Sequence, residues 1–268
     1  MKKMLLILAA TSVCVAAAAQ HTNIPRTDLS PEVGGRISVE LDKKLARGWH
    51  LYLSEQVRFD DNFTDFQRFH TTVGMSYKFA KHLKGAVEYS FINNYKSSSK
   101  TFNNNHRLSL SLTEPFSFGS WDLSIKETFR VTHKSYTHNL YQSPNNPMNA
   151  KLKVLLKYKG LRAFVPYAGM EGRMLLNGAS CSATYNSVAG TWSDYSFTGY
   201  KDVYLNRIRG IVGAEWKLDH NNSLDFKVLL DYCIDNAIDT NAEGTKLKSM
   251  VVERQFFPQL CVGYKFSF

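Results

Sequence analysis

Large apolar residues fall on alternate positions in most of this chain. The last nine residues are the strictest case: Leu260, Val262, Tyr264, Phe266 and Phe268 are apolar, and Cys261, Gly263, Lys265 and Ser267 lie between them. A period of two predicts a strand with one apolar and one polar face. The same alternation marks Ile37–Leu41, Trp49–Phe59, Val73–Phe79, Val87–Phe91, Leu108–Leu112, Trp121–Ile125, Leu152–Tyr158, Phe164–Arg173, Ile208–Trp216 and Leu224–Leu230. With the closing segment that makes eleven strands. Short turns alternate with longer polar connections, of which residues 177–201 form the longest. Helical periodicity of useful length is absent after residue 24.

Segments of about ten residues suit a strand crossing hydrocarbon at a tilt, and brief turns at one end with longer loops at the other are the asymmetry of a membrane barrel. Trp49, Tyr77, Trp121, Tyr158, Trp216 and Tyr264 near segment ends suit interfacial aromatic girdles. The pattern predicts an all-β fold: a closed antiparallel transmembrane β-barrel, with short periplasmic turns and long extracellular loops. If both termini are periplasmic, the strand number is even. Twelve strands is the expectation and ten the alternative, the extra strand lying in residues 22–34 or 246–254. Pro115 is expected in a turn, Pro144 and Pro147 in a loop, Pro166 just behind a turn and Pro258 at the upper end of the last strand, since proline cannot donate to a ladder.

The N-terminus reads as an address. Lys2 and Lys3 precede an apolar run to Ala18, and Ala17-Ala18-Ala19 before Gln20 is a signal-peptidase pattern. Residues 1–20 are therefore expected to be a cleaved signal peptide, 21–34 a lead-in and 35–268 an outer-membrane barrel of a Gram-negative cell. Thr11-Ser12-Val13 before Cys14 lacks the small residues of a lipobox. The remaining cysteines, Cys181, Cys233 and Cys261, are too few and too odd in number for a disulfide framework.

The formal net charge is +10, and the alternation assigns most of the ionisable strand residues to the lumen. Lys or Arg at the middle of a membrane costs roughly 2–4 kcal/mol. Arg58, Glu88, Arg130, Glu171, Arg207, Arg209 and Glu215 are the expected lumen-lining charges, structural or pore-forming. They imply either a packed lumen of ion pairs without a through-path, or a narrow porin-like path for a small anionic solute. Two strands share the form aliphatic-x-Glu-x-apolar-Arg-apolar, at Leu53–Phe59 and Ile125–Val131. Strict alternation leaves Glu55 and Glu127 outside, so either a bulge before the arginine turns each inward or each sits near an interface.

A lipid-modifying barrel enzyme needs a Ser–His pair oriented by a third polar group at the lipid boundary. His106 and Ser109 are three apart and face opposite sides of a strand. The loop from Asp239 opens like a calcium site, but Met250 stands where its bidentate Glu would fall. No catalytic residue, metal site or cofactor is assigned, and the basic residues lack the interleaved aromatics of a nucleic-acid surface. The expected partners are outer-membrane lipid and, through Val262, Tyr264, Phe266 and Phe268 as an assembly signal, the barrel-assembly machinery; the chain is expected to be a monomer. Function stays open between a small structural or transport barrel, a lipid-modifying enzyme and a binding protein acting through the 177–201 loop.

Several motifs carry a resemblance. Asp42-Lys43-Lys44-Leu45 before Trp49, the Glu55/Arg58 strand, Arg68-Phe69-His70 before Tyr77-Lys78-Phe79 and Pro166-Tyr167 before Glu171 form one set. Asn206-Arg207-Ile208-Arg209-Gly210, the turn His220–Asp225 and Tyr264-Lys265-Phe266 complete it. Over nearly all of the expected mature chain they resemble an uncharacterised family of predicted bacterial outer-membrane β-barrels, a domain of unknown function. The resemblance implies the barrel and its membrane, and no activity.

Overall fold

A computed structural model describes residues 24–60 and 62–268. The expected signal peptide and Cys14 lie outside the described residues. Twelve strands follow one another: β1 (Arg26–Leu29), β2 (Gly34–Ala46), β3 (Trp49–Asp60), β4 (Asp65–Ala80), β5 (Leu83–Lys96) and β6 (Thr101–Phe118). Then come β7 (Trp121–Lys134), β8 (Met148–Tyr158), β9 (Phe164–Asn186), β10 (Thr191–Lys217), β11 (Asn222–Thr240) and β12 (Leu247–Ser267). Successive strands from β2 to β12 pair antiparallel, and β12 returns to β2, so eleven strands close the barrel and β1 stands outside the ring.

The closing pair differs from the all-antiparallel expectation. With an odd number of staves the first and last point the same way, and β12 meets β2 in parallel from Gln259↔Gly34 to Ser267↔Asp42. β1 runs parallel to the upper part of β12, from Arg26↔Val252 to Leu29↔Gln255. Residues 30–33, broken by Pro31, face only residues 256–258 between these two ladders. That one extra residue is a bulge, and Pro258 lies abreast of it. Pro258 is thus in mid-strand rather than at an upper end, tolerated where the seam's ladder is already interrupted. Pro115 likewise belongs to β6, opposite Ser124, and not to a turn.

The faces are sorted inside out. Ile37, Val39, Leu53, Val73, Leu108, Leu110, Val212, Leu260 and Val262 are exposed on the outer face, whereas Ser76, Ser109, Thr128, Glu171, Arg209 and Asp231 are buried. Aromatic pairs gather at the turn end: Trp49 with Tyr77 at 4.5 Å, Trp121 with Tyr158 at 4.8 Å and Phe266 with Phe268 at 5.3 Å between ring centroids.

The wall is uneven in height. β3 has 12 residues and β8 has 11, but β9 has 23 and β10 has 27. Residues 177–201 are therefore not a long loop. They continue β9 and β10 as a hairpin whose connection is residues 187–190. Its Trp192, Tyr195 and Phe197 pack with Cys181 and Ala183 against the buried Ala179, Ile238, Leu247 and Met250. Apolar side chains that have left the barrel wall thus bury one another in a small second core.

No bulge turns Glu55 or Glu127 inward. The register of β3 with β2 runs unbroken from Phe59 to His50, and that of β7 with both neighbours is continuous. Glu55 remains on the outer face beside Val39 and accepts a 2.5 Å bond from Thr71 Oγ1. Glu127 lies exposed between Leu112 and Leu152.

Candidate functional site: a charged layer on the inner wall

Eleven strands enclose more space than eight, whose interior side chains just fill, and less than the sixteen or more that leave a channel. Long inward side chains decide whether such a lumen is filled. On the β8–β12 side the buried Leu155, Tyr167, Ile211, Leu229 and Cys261 form an apolar cluster. Beside it lies the densest ionic contact among the described residues. Arg209 from β10 grips Asp231 of β11 with both a 2.5 Å bond from Nε and a 2.6 Å bond from Nη2. Only 1% of Asp231 is exposed, and its other acceptor position takes Gln259 Nε2 at 2.9 Å. Gln259 in turn receives the Arg36 Nε–H across the seam.

Glu171 of β9 is the second carboxylate of this group. It is held by Lys151 of β8 at 2.6 Å and by Arg207 at 3.0 Å, with Arg209 at 3.7 Å. A fork-to-carboxylate pair supplies two parallel charged hydrogen bonds, so two acids fixed by three bases and an amide make a rigid block.

Toward the turn end the lumen carries separate pairs. Glu88 of β5 accepts from Tyr52 Oη of β3 at 2.7 Å and from Lys126 Nζ of β7 at 3.4 Å. Glu215 pairs with Lys157 at 3.2 Å, and Lys265 bridges Glu40 and Asp42 at 2.8 Å each. One device occurs twice. Tyr52 lies opposite Gly74, where an added Cβ would meet its ring at 2.3 Å, and reaches on to Glu88 in the next strand. Tyr167 lies opposite Gly213, with 2.8 Å to its ring, and donates to Asp225 in the next strand. In each case a missing side chain lets the ring lie flat on the wall and brings its hydroxyl to an acid two strands away.

The remaining arginines have no such partners. Arg58 Nε donates to Gln56 at 2.6 Å and its Nη2 to His70 Nδ1 at 3.2 Å. Arg107 Nε donates to Thr132 at 3.0 Å, and the buried Nε of Arg130 has no acceptor.

At the loop end, residues 135–147 lean across to the tall wall. Asn139 donates to Thr240 Oγ1 and the Asn241 carbonyl, Gln142 to Asp239, and Tyr141 meets Phe197 edge-on at 5.3 Å. Beneath lies a cavity of about 330 Å³ lined by Gln142, Ser143, Tyr204, Asp235, Asn236 and Glu253, among others. Tyr204 donates to Asp235 at 2.7 Å.

Arg58, Glu88, Arg130, Glu171, Arg207, Arg209 and Glu215 thus divide into three settings. Glu171, Arg207 and Arg209 share one cluster, Glu88 and Glu215 sit in separate pairs below it, and Arg58 and Arg130 form no ion pair with a described carboxylate, though Glu171 and Glu88 act on Arg130 at longer range. Val262 and Phe268 are exposed on the outer face, and Tyr264 donates to Asn222 at the turn end. Sequence reasoning omitted Lys151, Asp231, Arg68, Tyr52 and Gln259. Extending the alternation by one residue beyond Leu152 and Leu230, and five residues back from Val73, reaches the first three. His106 lies outside, hydrogen-bonded to Tyr89 at 2.7 Å, while Ser109 is buried inside. Cys181, Cys233 and Cys261 are free thiols, and among the described residues no cluster of His, Cys, Asp and Glu is arranged to hold a metal ion.

No curated protein matches the chain in sequence. Residues 37–241 match the family described as protein of unknown function (DUF2490), and the chain belongs to that family.

Proposed function

We propose that this protein is an integral outer-membrane β-barrel of Gram-negative bacteria, exported through a cleaved signal peptide, with a basic lumen that is closed at rest. The observation that carries the proposal is the inverted polarity of the wall. Leu108, Leu110, Leu112, Val212 and Leu260 are all roughly half exposed, while Arg209 and Asp231 are buried. In water, a continuous apolar girdle of that extent is an aggregation surface; in lipid it is the solvated face, and a closed ladder leaves no backbone group unpaired.

The block of Glu171, Asp231 and their bases argues for a closed structural barrel, or a gated transporter, rather than an open pore. Its bonds run between neighbouring strands, and Glu171, Arg209 and Asp231 are only 5%, 7% and 1% exposed, so little free space lies beside them on that wall. The C-terminal strand presents Val262 and Phe268 outward, as a segment read by the barrel-assembly machinery would. A second role, ligand binding at the loop end, is favoured by the cavity under residues 142–144.

The experiment is planar-bilayer recording of the refolded protein, with folding verified by its heat-dependent mobility on a gel. The wild type is expected to be silent, and Asp231→Asn with Arg209→Gln to produce brief openings. Steady wild-type steps would overturn the closed lumen; failure to insert into lipid at all would overturn the membrane assignment.

A further inference from the structure

Carboxylates meet only part of the charged layer. On β8–β11, Glu171 and Asp231 pair with Lys151, Arg207 and Arg209, while Arg173 and Arg36 donate to the amides of Asn206 and Gln259. Farther round the ring, on β3, β4, β6 and β7, stand Arg58, which lies opposite Arg36 on the neighbouring strand, Arg68, Arg107 and Arg130. Among the described residues no carboxylate is within ion-pair distance of any of these four. Their acceptors are neutral: Gln56 and His70 for Arg58, Gln67 at 2.8 Å for Arg68 and Thr132 for Arg107. Asp60, which reaches Arg68 only at longer range, is occupied by the Gln67 amide.

The four also act on one another. Arg58 lies within electrostatic reach of Arg36, Arg68 and Arg107, and Arg107 within reach of Arg68 and Arg130, while Arg130 also feels Glu171 and Glu88 at longer range than an ion pair. Arg58 and Arg68 are direct cross-strand partners. Like charges placed opposite one another destabilise a sheet, and a guanidinium cannot escape by losing its proton. Each is half-buried rather than sealed, and the Nε of Arg130 is buried without an acceptor. Several forks with spare donors, facing one enclosed space, make the arrangement that recognises an oxyanion carrying more than one charge.

We propose that Arg58, Arg68, Arg107 and Arg130 form a binding site in the lumen for a compact multivalent oxyanion of the phosphate or pyrophosphate class. Bidentate bonds from facing guanidiniums would saturate the anion's oxygens and remove the repulsion within the cluster. The site needs a folded barrel with an enclosed lumen but not a closed one, so its failure is distinguishable from that of the closed-lumen proposal.

The test is calorimetric titration of the refolded protein with inorganic phosphate and with pyrophosphate at constant ionic strength, alongside thermal unfolding in each anion and in chloride. Saturable binding is expected, tighter for pyrophosphate, with a higher unfolding temperature in pyrophosphate than in chloride. Arg107→Gln and Arg130→Gln should each weaken binding about tenfold or more, as for loss of a charged hydrogen bond. Arg107→Lys, which keeps the charge and loses the fork, should fall between, and Lys217→Gln at the turn end should match the wild type. In chloride Arg107→Gln should be no less stable than the wild type, because it relieves repulsion. The proposal is overturned if neither anion binds saturably. It is overturned equally if the arginine variants lose the same stability in chloride as in pyrophosphate, which marks a purely structural role.

Discussion

Asp231 shows how much a single side chain carries in this lumen. It is enclosed, it holds both forks of Arg209, and it accepts from Gln259, which connects it to Arg36. Replacing one member of a buried pair strands its partner's charge, a loss of about 3–5 kcal/mol. Asp231→Ala is therefore expected to lower the stability of the refolded barrel by an amount of that order, read from urea unfolding in lipid vesicles. Replacing Asp231 and Arg209 together by apolar residues of similar size should restore most of the loss, since no unpaired charge then remains. The inward placement of Asp231 was legible from Asp225, Lys227 and Leu229, which share its parity. Its role was not, because pairing with Arg209 depends on which strands are neighbours and at what register.

At the scale of elements, the long strands of one wall set the form of the loop end. β9 and β10 rise beyond their neighbours, and the β7–β8 connection, residues 135–147, is fastened to β11 by Asn139 and Gln142 and to β10 by the Tyr141–Phe197 contact. An edge-to-face aromatic pair contributes about 0.5–1.5 kcal/mol beyond its buried area. Phe197→Ala should loosen that fastening without disturbing the staves. Under limited proteolysis, cleavage within 135–147 is expected to quicken several-fold, while the barrel fragment stays intact and still shifts its gel mobility on heating. Residues 177–201 looked like a loop because, above the apolar girdle, the outward positions no longer need to be apolar. The period-of-two contrast fades there although the strands continue. Backbone pairing sustains the hairpin where side-chain patterning gives no signal.

At the scale of the whole molecule, the seam decides the architecture. Parallel closure puts the start of β2 at the loop end and the C-terminus at the turn end, and Ser38 opposite Gly263 with 3.0 Å between the Ser38 Oγ and an added Cβ. In a background freed of Cys181, Cys233 and Cys261, a Ser38→Cys, Gly263→Cys pair should be joined by a short thiol cross-linker in the folded protein and not after unfolding in urea. An antiparallel closure with an additional stave would place these positions too far apart to join.

Alternation of apolar and polar residues determined by itself the β class, the position of nearly every strand centre and which face each charge occupies, because one-residue slips would turn every side chain to the wrong side. Glu55 and Arg58 keep opposite parity, as strict alternation requires, because no bulge intervenes between them. Only the tertiary structure decided the number of staves, the parallel seam at Pro258 and which inward arginines meet a carboxylate. Those features depend on contacts between residues far apart in the chain: β12 with β2, and Arg36 with Gln259. A local pattern specifies the face a residue presents but not the residue it will meet.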